Sequence, residues 1–280
     1  MMTALDRFTG PIDVAPHFRP RPALRHALMD WDGTISLLRG GWVEVMTDLC
    51  LEHLPAHADE TAEQLRSAVH AEMLALNGKP SIHQMARIAE LVMARAGSSL
   101  QADDYQRFYV ARIIALVEQR NAAVLSGLRS KESLMVPGAR VLLEAMQSAG
   151  LHLTLVSGTP YPELIEEAVL LDVQRYFDRD IYGPQDTTDR VFTKRASIHE
   201  LIAKHQIPGE ELVAIGDGPV EIAETKAIGG LAIAVASDEN TPGSRRFDEF
   251  KRKQLLDCGA DLVVPDFQDA AALIQLARGL

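Results

Sequence analysis

The sequence predicts an α/β fold: a parallel sheet core covered by helices, interrupted by an inserted all-helical segment. Three observations predict it. Short apolar runs of strand length alternate with helical stretches in the second half of the chain. The stretch from about Gly41 to Leu128 carries apolar residues near helical spacing and no strand candidate. Three of the apolar runs stop abruptly in polar clusters.

In order, residues 1–22 are rich in proline and basic residues (Pro11, Pro16, Pro20, Pro22, Arg19, Arg21) and read as an extended arm. The core follows over residues 23–40 and 129–280. Its first strand is the run Leu24 to Met29, stopped by Asp30-Trp31-Asp32-Gly33-Thr34. The helical block occupies residues 41–128, with breaks at Pro55, Asn77-Gly78-Lys79-Pro80 and Gly97-Ser98-Ser99, which predicts four or five helices. Met73, Met85 and Met93 are expected in its core.

After Pro137-Gly138 a helix (Ala139 to Ser148) leads through Gly150 into the strand Leu151 to Val156, which ends at Ser157-Gly158-Thr159-Pro160. Further strands are expected at Leu212 to Ile215, Leu231 to Val235 and Leu262 to Val264. Such alternation indicates a parallel sheet covered on both faces. The stretch Asp238 to Asp257 is of mixed charge and reads as an exposed loop and helix. His26 and His152 read as satisfied core or edge histidines.

With 280 residues the chain is long enough for one large or two modest domains. The formal net charge of −11 disfavours nucleic acid and anionic membrane as partners, since both are polyanions. An anionic substrate then requires local positive charge or a metal. Cys50 and Cys258 match no metal spacing and read as reduced, buried thiols. Charged residues interrupt any signal-like run at the N-terminus, and no apolar stretch approaches the roughly 20 residues of a membrane helix. A cytoplasmic location follows by default.

The polar clusters carry the chemistry, because functional groups in an open parallel sheet gather at the carboxyl ends of its strands. Asp30 and Asp32 can face one cavity, where two carboxylates repel unless a cation lies between them or one takes a proton. Magnesium commonly takes one or two carboxylates together with substrate phosphate and water. Ser157-Gly158-Thr159 offers a hydroxyl and backbone N–H groups before a helix, a ready anion site. Lys194 precedes a helix expected over Ala196 to Lys204, and Asp217 lies four residues before Glu221 at a helix beginning near Pro219. Each cluster is also ordinary in isolation, as a helix cap, a turn or a solvated lysine.

Taken together and in this order, the segments resemble the haloacid dehalogenase superfamily of phosphatases, from about Leu24 to the C-terminus. The motifs stand as Asp30-Trp31-Asp32-Gly33-Thr34, Ser157-Gly158-Thr159, Lys194 and Gly216-Asp217-Gly218-Pro219-Val220-Glu221. The resemblance implies a Rossmann-like core, with the helical block as the cap of one large branch of the superfamily. It implies Asp30 as nucleophile through an aspartyl-phosphate and Asp32 as general acid and base. Ser157 and the N–H of Gly158 are then implied to bind phosphate together with Lys194. Magnesium would be held by Asp30, the backbone carbonyl of Asp32, and Asp217. The second acid of the last motif is usually aspartate; Glu221 is longer and is expected to reach a metal-bound water.

An acid at Asp32 favours phosphate esters over halides, because an alkoxide needs a proton to leave and a halide does not. The expected reaction is hydrolysis of a small organic phosphate, such as a sugar phosphate. A phosphomutase uses the same acid and differs in excluding water. A catalytically silent binding protein is a third reading, against which stand the complete motif acids and lysine. No Gly-x-Gly-x-x-Gly follows the first strand, which weighs against a dinucleotide-binding sheet. Substrate choice is expected in the cap, with Arg39 and Lys79 as candidate contacts beside glycines.

Overall fold

The computed structural model describes residues 5–57, 59–76, 80–97, 100–177, 180–186, 189 and 191–280. The chain divides into two compact units: Met1–Gly40 with Ala123–Leu280, and Gly41–Ala122. In chain order, β1 (Asp13–Val14) and β2 (His26–Met29) precede four helices. These are α1 (Trp42–His53), α2 (Ala62–Leu74), α3 (Ile82–Ala94) and α4 (Ala102–Leu125). Then come α5 (Ala139–Ser148), β3 (His152–Val156), α6 (Tyr161–Leu170), β4 (Ile181–Tyr182), α7 (Lys194–His205) and β5 (Leu212–Gly216). The chain closes with α8 (Pro219–Ala227), β6 (Leu231–Val235), α9 (Glu249–Asp257), β7 (Leu262–Val264) and α10 (Ala270–Arg278).

The strands form one sheet in the order β1-β7-β6-β5-β2-β3-β4, parallel except for β1, which runs antiparallel to β7. Successive strand residues point to opposite faces, and the burial follows that alternation. Ala27, Met29, Leu153, Leu155, Val213 and Ile215 join the core under α5, α6 and α10. Leu28, Val156, Leu212 and Ala214 pack with Ile198 and Leu201 of α7 on the other face. A sheet buried on both faces explains why its strands read as continuous apolar runs.

β2 lies between β3 and β5, with His26 opposite His152 and Leu212, and Met29 opposite Leu155 and Ile215. This common register brings the carboxyl ends of the three strands level, so Asp30, Ser157 and Asp217 leave the sheet at one edge.

The N-terminal arm packs on its own core through Phe8, Ile12 and Phe18. It also contains a strand, β1, that the prolines had masked. Thr9 donates through its backbone N–H and hydroxyl to Asp269, and Gly10 N–H donates to the same carboxylate.

In the helical unit, Val43, Met46, Leu49, Cys50, Leu65, Val69, Met73, Met85, Ile88 and Val92 form a separate core. Met93 does not join it and is 59% exposed. It follows the inward Val92 by one residue, about 100° around the helix. Cys50 is a free, buried thiol and Cys258 a free, half-buried one. Among the described residues, no helix is long and apolar enough to cross a membrane.

Candidate active site

The site is built from the segments that follow β2, β3 and β5 and from the first turn of α7. Asp30 is buried directly after β2, with its backbone N–H bonded to Ile215 O at 3.0 Å. Its Oδ1 accepts the Trp31 N–H at 2.7 Å, and its Oδ2 pairs with Lys194 Nζ at 2.7 Å. Lys194 opens α7, whose N-cap is Thr193, and also pairs with Glu221 Oε2 at 2.8 Å. Glu221 is fully buried, and its Oε1 accepts the Gly218 N–H at 2.7 Å, capping α8. Gly216 makes this cap possible: a Cβ there would lie 2.2 Å from Glu221 Oε1.

Asp217 follows β5 and pairs through Oδ2 with Lys251 Nζ at 2.7 Å. Lys251, on α9, also pairs with Glu239. Gly33 turns the chain after Asp32 with φ of 70°, a left-handed conformation that glycine adopts without steric cost. Its Cα also faces Asp217: a Cβ there would stand 2.2 Å from Asp217 Oδ2.

A second network surrounds Asp32. Its Oδ2 accepts the Thr159 hydroxyl at 2.7 Å, and its Oδ1 faces Arg39 Nη1 at 3.4 Å. Arg39 bonds more closely to Glu167 Oε2, at 2.7 Å, and the same oxygen accepts the Trp31 indole N–H at 2.9 Å. Ser157 is buried, and its hydroxyl accepts the Thr159 N–H at 3.0 Å. Gly158 is exposed, with open space where a Cβ would be.

Electrostatics follows from burial and pairing. Burial pushes the Asp30 carboxyl well above the ordinary range; Lys194 pulls it back, and Glu221 and Asp217 push it further up. Burial disfavours the Lys194 ammonium, but Asp30 and Glu221 outweigh it and hold its pKa above the ordinary lysine value. Lys251 behaves alike between Asp217 and Glu239. Glu167 is raised by burial, against Arg39.

Asp30, Asp217 and Glu221 each offer a carboxylate oxygen within 4.8 Å of the others. Three converging carboxylates, two of which raise the proton affinity of Asp30, suit a divalent cation, and an all-oxygen set suits magnesium in kind. The Asp32 carboxylate lies outside this cluster, turned to Thr159 and Arg39.

The structure thus gathers Asp30, Lys194, Asp217 and Glu221, and places Asp32 beside Thr159. Arg39 lies in the sheet-containing unit, paired with a buried acid. Lys79 lies outside the described residues. Reading the sequence missed Glu167, Glu239 and Lys251. It placed Lys251 in an exposed helix, yet the residue is 6% exposed. A signal existed in two of the three. Lys251 shares the inward face of α9 with Leu255, and Glu167 shares that of α6 with Leu164 and Ala168.

A model of the haloacid dehalogenase-like hydrolase family matches residues 24–229. The search of curated proteins gave no match. Among solved structures, a haloacid dehalogenase-like protein of unknown function from Agrobacterium tumefaciens is similar at 17% identity. That match covers 90% of this chain and 97% of that one, with a TM-score of 0.59. A HAD family hydrolase from Deinococcus radiodurans, solved with phosphate and sodium, is 17% identical over 91% of this chain and 97% of that one, with a TM-score of 0.60. A predicted phosphoglycolate phosphatase from Haemophilus somnus is 15% identical over 91% and 98%, with a TM-score of 0.57. At these identities the structural likenesses speak for the fold.

Proposed function

We propose that this chain, which belongs to the haloacid dehalogenase-like hydrolases, is a magnesium-dependent phosphatase of small organic phosphate monoesters. The observation that carries the proposal is the Asp30–Lys194 pair within the Asp30, Asp217 and Glu221 cluster, with Asp32 held on the neighbouring Thr159. The phosphatase name of one structural neighbour and the phosphate bound to another support the same reading.

Asp30, Asp217 and Glu221 would hold the magnesium ion. When bound, it supplies charge neutralisation for the phosphoryl oxygens. The remaining steps fall to side chains. An Asp30 oxygen attacks phosphorus, and the bond from phosphorus to the leaving oxygen breaks. Asp32, protonated at this point, gives its proton to that oxygen. Asp32 then takes a proton from water, whose oxygen attacks phosphorus; the Asp30–phosphorus bond breaks and inorganic phosphate leaves. Lys194 offsets the negative charge that Asp30 and the phosphoryl group share. Ser157 and the Gly158 N–H bind the phosphoryl oxygens. Phosphoryl transfer is governed by positioning and charge stabilisation, which this constellation provides. The substrate is a small phosphorylated metabolite, not a nucleic acid or a membrane lipid, in keeping with the net charge of −11.

The test is phosphate release from a panel of small esters, with Mg²⁺ or EDTA, for the wild type and Asp30→Asn. Release that needs the metal and is lost in the variant is the expected result. Interconversion of a sugar phosphate, without release and dependent on a bisphosphate activator, would make the chain a mutase instead; a neighbour from Bacteroides vulgatus is provisionally named a β-phosphoglucomutase.

A further inference from the structure

Lys251 is a buried charge beside the acid cluster that the proposed chemistry leaves unused. Its ammonium pairs with Asp217 Oδ2 at 2.7 Å and with Glu239. Its backbone is fixed as well: Asp248 caps α9 and accepts the Phe250 and Lys251 N–H groups, each at 3.0 Å. On its other side Asp217 Oδ2 is crowded by Gly33, where a Cβ would lie 2.2 Å away. Asp217 Oδ1, by contrast, accepts no hydrogen bond among the described residues.

Resting on the reading that Asp30, Asp217 and Glu221 hold a divalent cation, we propose that Lys251 is a positioning residue that limits Asp217 to one metal-facing oxygen and so selects a small cation over a larger one. Magnesium takes six oxygens in a tight octahedron, one from each carboxylate. Calcium takes six to eight in a wider shell and readily uses both oxygens of a carboxylate. An ammonium clamped on Asp217 Oδ2 denies the second mode.

The test is calorimetric titration of the full chain with MgCl2 and with CaCl2, read as the ratio of the two affinities. The two ions carry equal charge, so the ratio reports geometry and not net charge. Lys251→Met is expected to raise the calcium-to-magnesium affinity ratio by about tenfold, the scale on which loss of a ligand-orienting group changes metal affinity. The double variant Lys251→Met with Glu239→Gln keeps the net charge of the wild type and removes the second carboxylate that Lys251 paired, leaving Asp217 unclamped. It is expected to keep the raised ratio. A wild type that binds magnesium, with variants whose ratio is unchanged, would overturn the role of Lys251 alone. A wild type that binds neither ion would overturn the metal reading and this inference with it.

Discussion

The Lys194 ammonium reaches Asp30 Oδ2 across 2.7 Å, tying the first turn of α7 to the residue that follows β2. Substituting Lys194 by Met keeps the length of the side chain and removes its charge. Turnover of the best phosphate ester is expected to fall by about 10²–10³-fold, the usual loss when one fixed group that stabilises developing charge is removed. Steady-state phosphate release checks this, with circular dichroism to establish that the variant is folded. Turnover within a few-fold of wild type would remove Lys194 from the chemistry.

Arg39 is held between Glu167 and Asp32, with Glu167 2% exposed. A solvated substrate contact could be removed with little effect on folding. A partner of a buried acid could not: Arg39→Met is expected to destabilise the protein by about 3–5 kcal/mol, because it strands the Glu167 charge. Urea denaturation measures this. A change within experimental error would return Arg39 to the role of a solvated contact.

Gly33 meets two constraints at once, a φ of 70° and close approach to Asp217. Gly33→Ala is expected to cost about 1–2 kcal/mol from the left-handed backbone alone. The added methyl must also displace the Asp217 carboxylate, so magnesium affinity is expected to fall with stability. Denaturation and calorimetry on one preparation test both. Unchanged metal affinity would show that Asp217 is not a ligand.

The N-terminal arm is tied down by Asp269. Burial alone raises this carboxyl, but hydrogen bonds from Thr9 and Gly10 and the Arg245 guanidinium outweigh it and hold its pKa below the ordinary 3.8. A carboxyl depressed in the folded state contributes stability that is fully present above its unfolded value and lost as pH falls through its folded value. The Gly10 amide resonance is therefore expected to keep its folded position as pH falls to the ordinary aspartate value, and to move only below it. Asp269→Asn should abolish that pH-dependent movement. Release of the arm at higher pH would contradict the assignment.

The candidate site was legible where strand ends carried it. Parallel strands in common register put Asp30, Ser157 and Asp217 at one edge, so a linear order of motifs became a spatial cluster. Two helix starts were equally readable, α5 after Pro137-Gly138 and α8 at Pro219, whereas α7 begins at Lys194 and not at the expected Ala196, because Thr193 caps it. The short strands β1 and β4 were not, because two residues are too few for any periodicity. Lys251, Glu239 and Glu167 escaped for a different reason. Their partners are distant in sequence, and a charge looks solvated until the face it lies on is known. Only the apolar neighbours at helical spacing, Leu255 for Lys251 and Leu164 with Ala168 for Glu167, marked them as inward.

The central claim is that Asp30 bonds to phosphorus during turnover. The most direct measurement is to quench the enzyme with borohydride while it turns over a good substrate, which reduces an acyl phosphate to an alcohol, and to map the product by peptide mass spectrometry. Homoserine is expected at position 30, dependent on substrate and strongly reduced in Lys194→Met. Rapid turnover with no modification at Asp30, or with reduction at Asp32 or Asp217 instead, would contradict it.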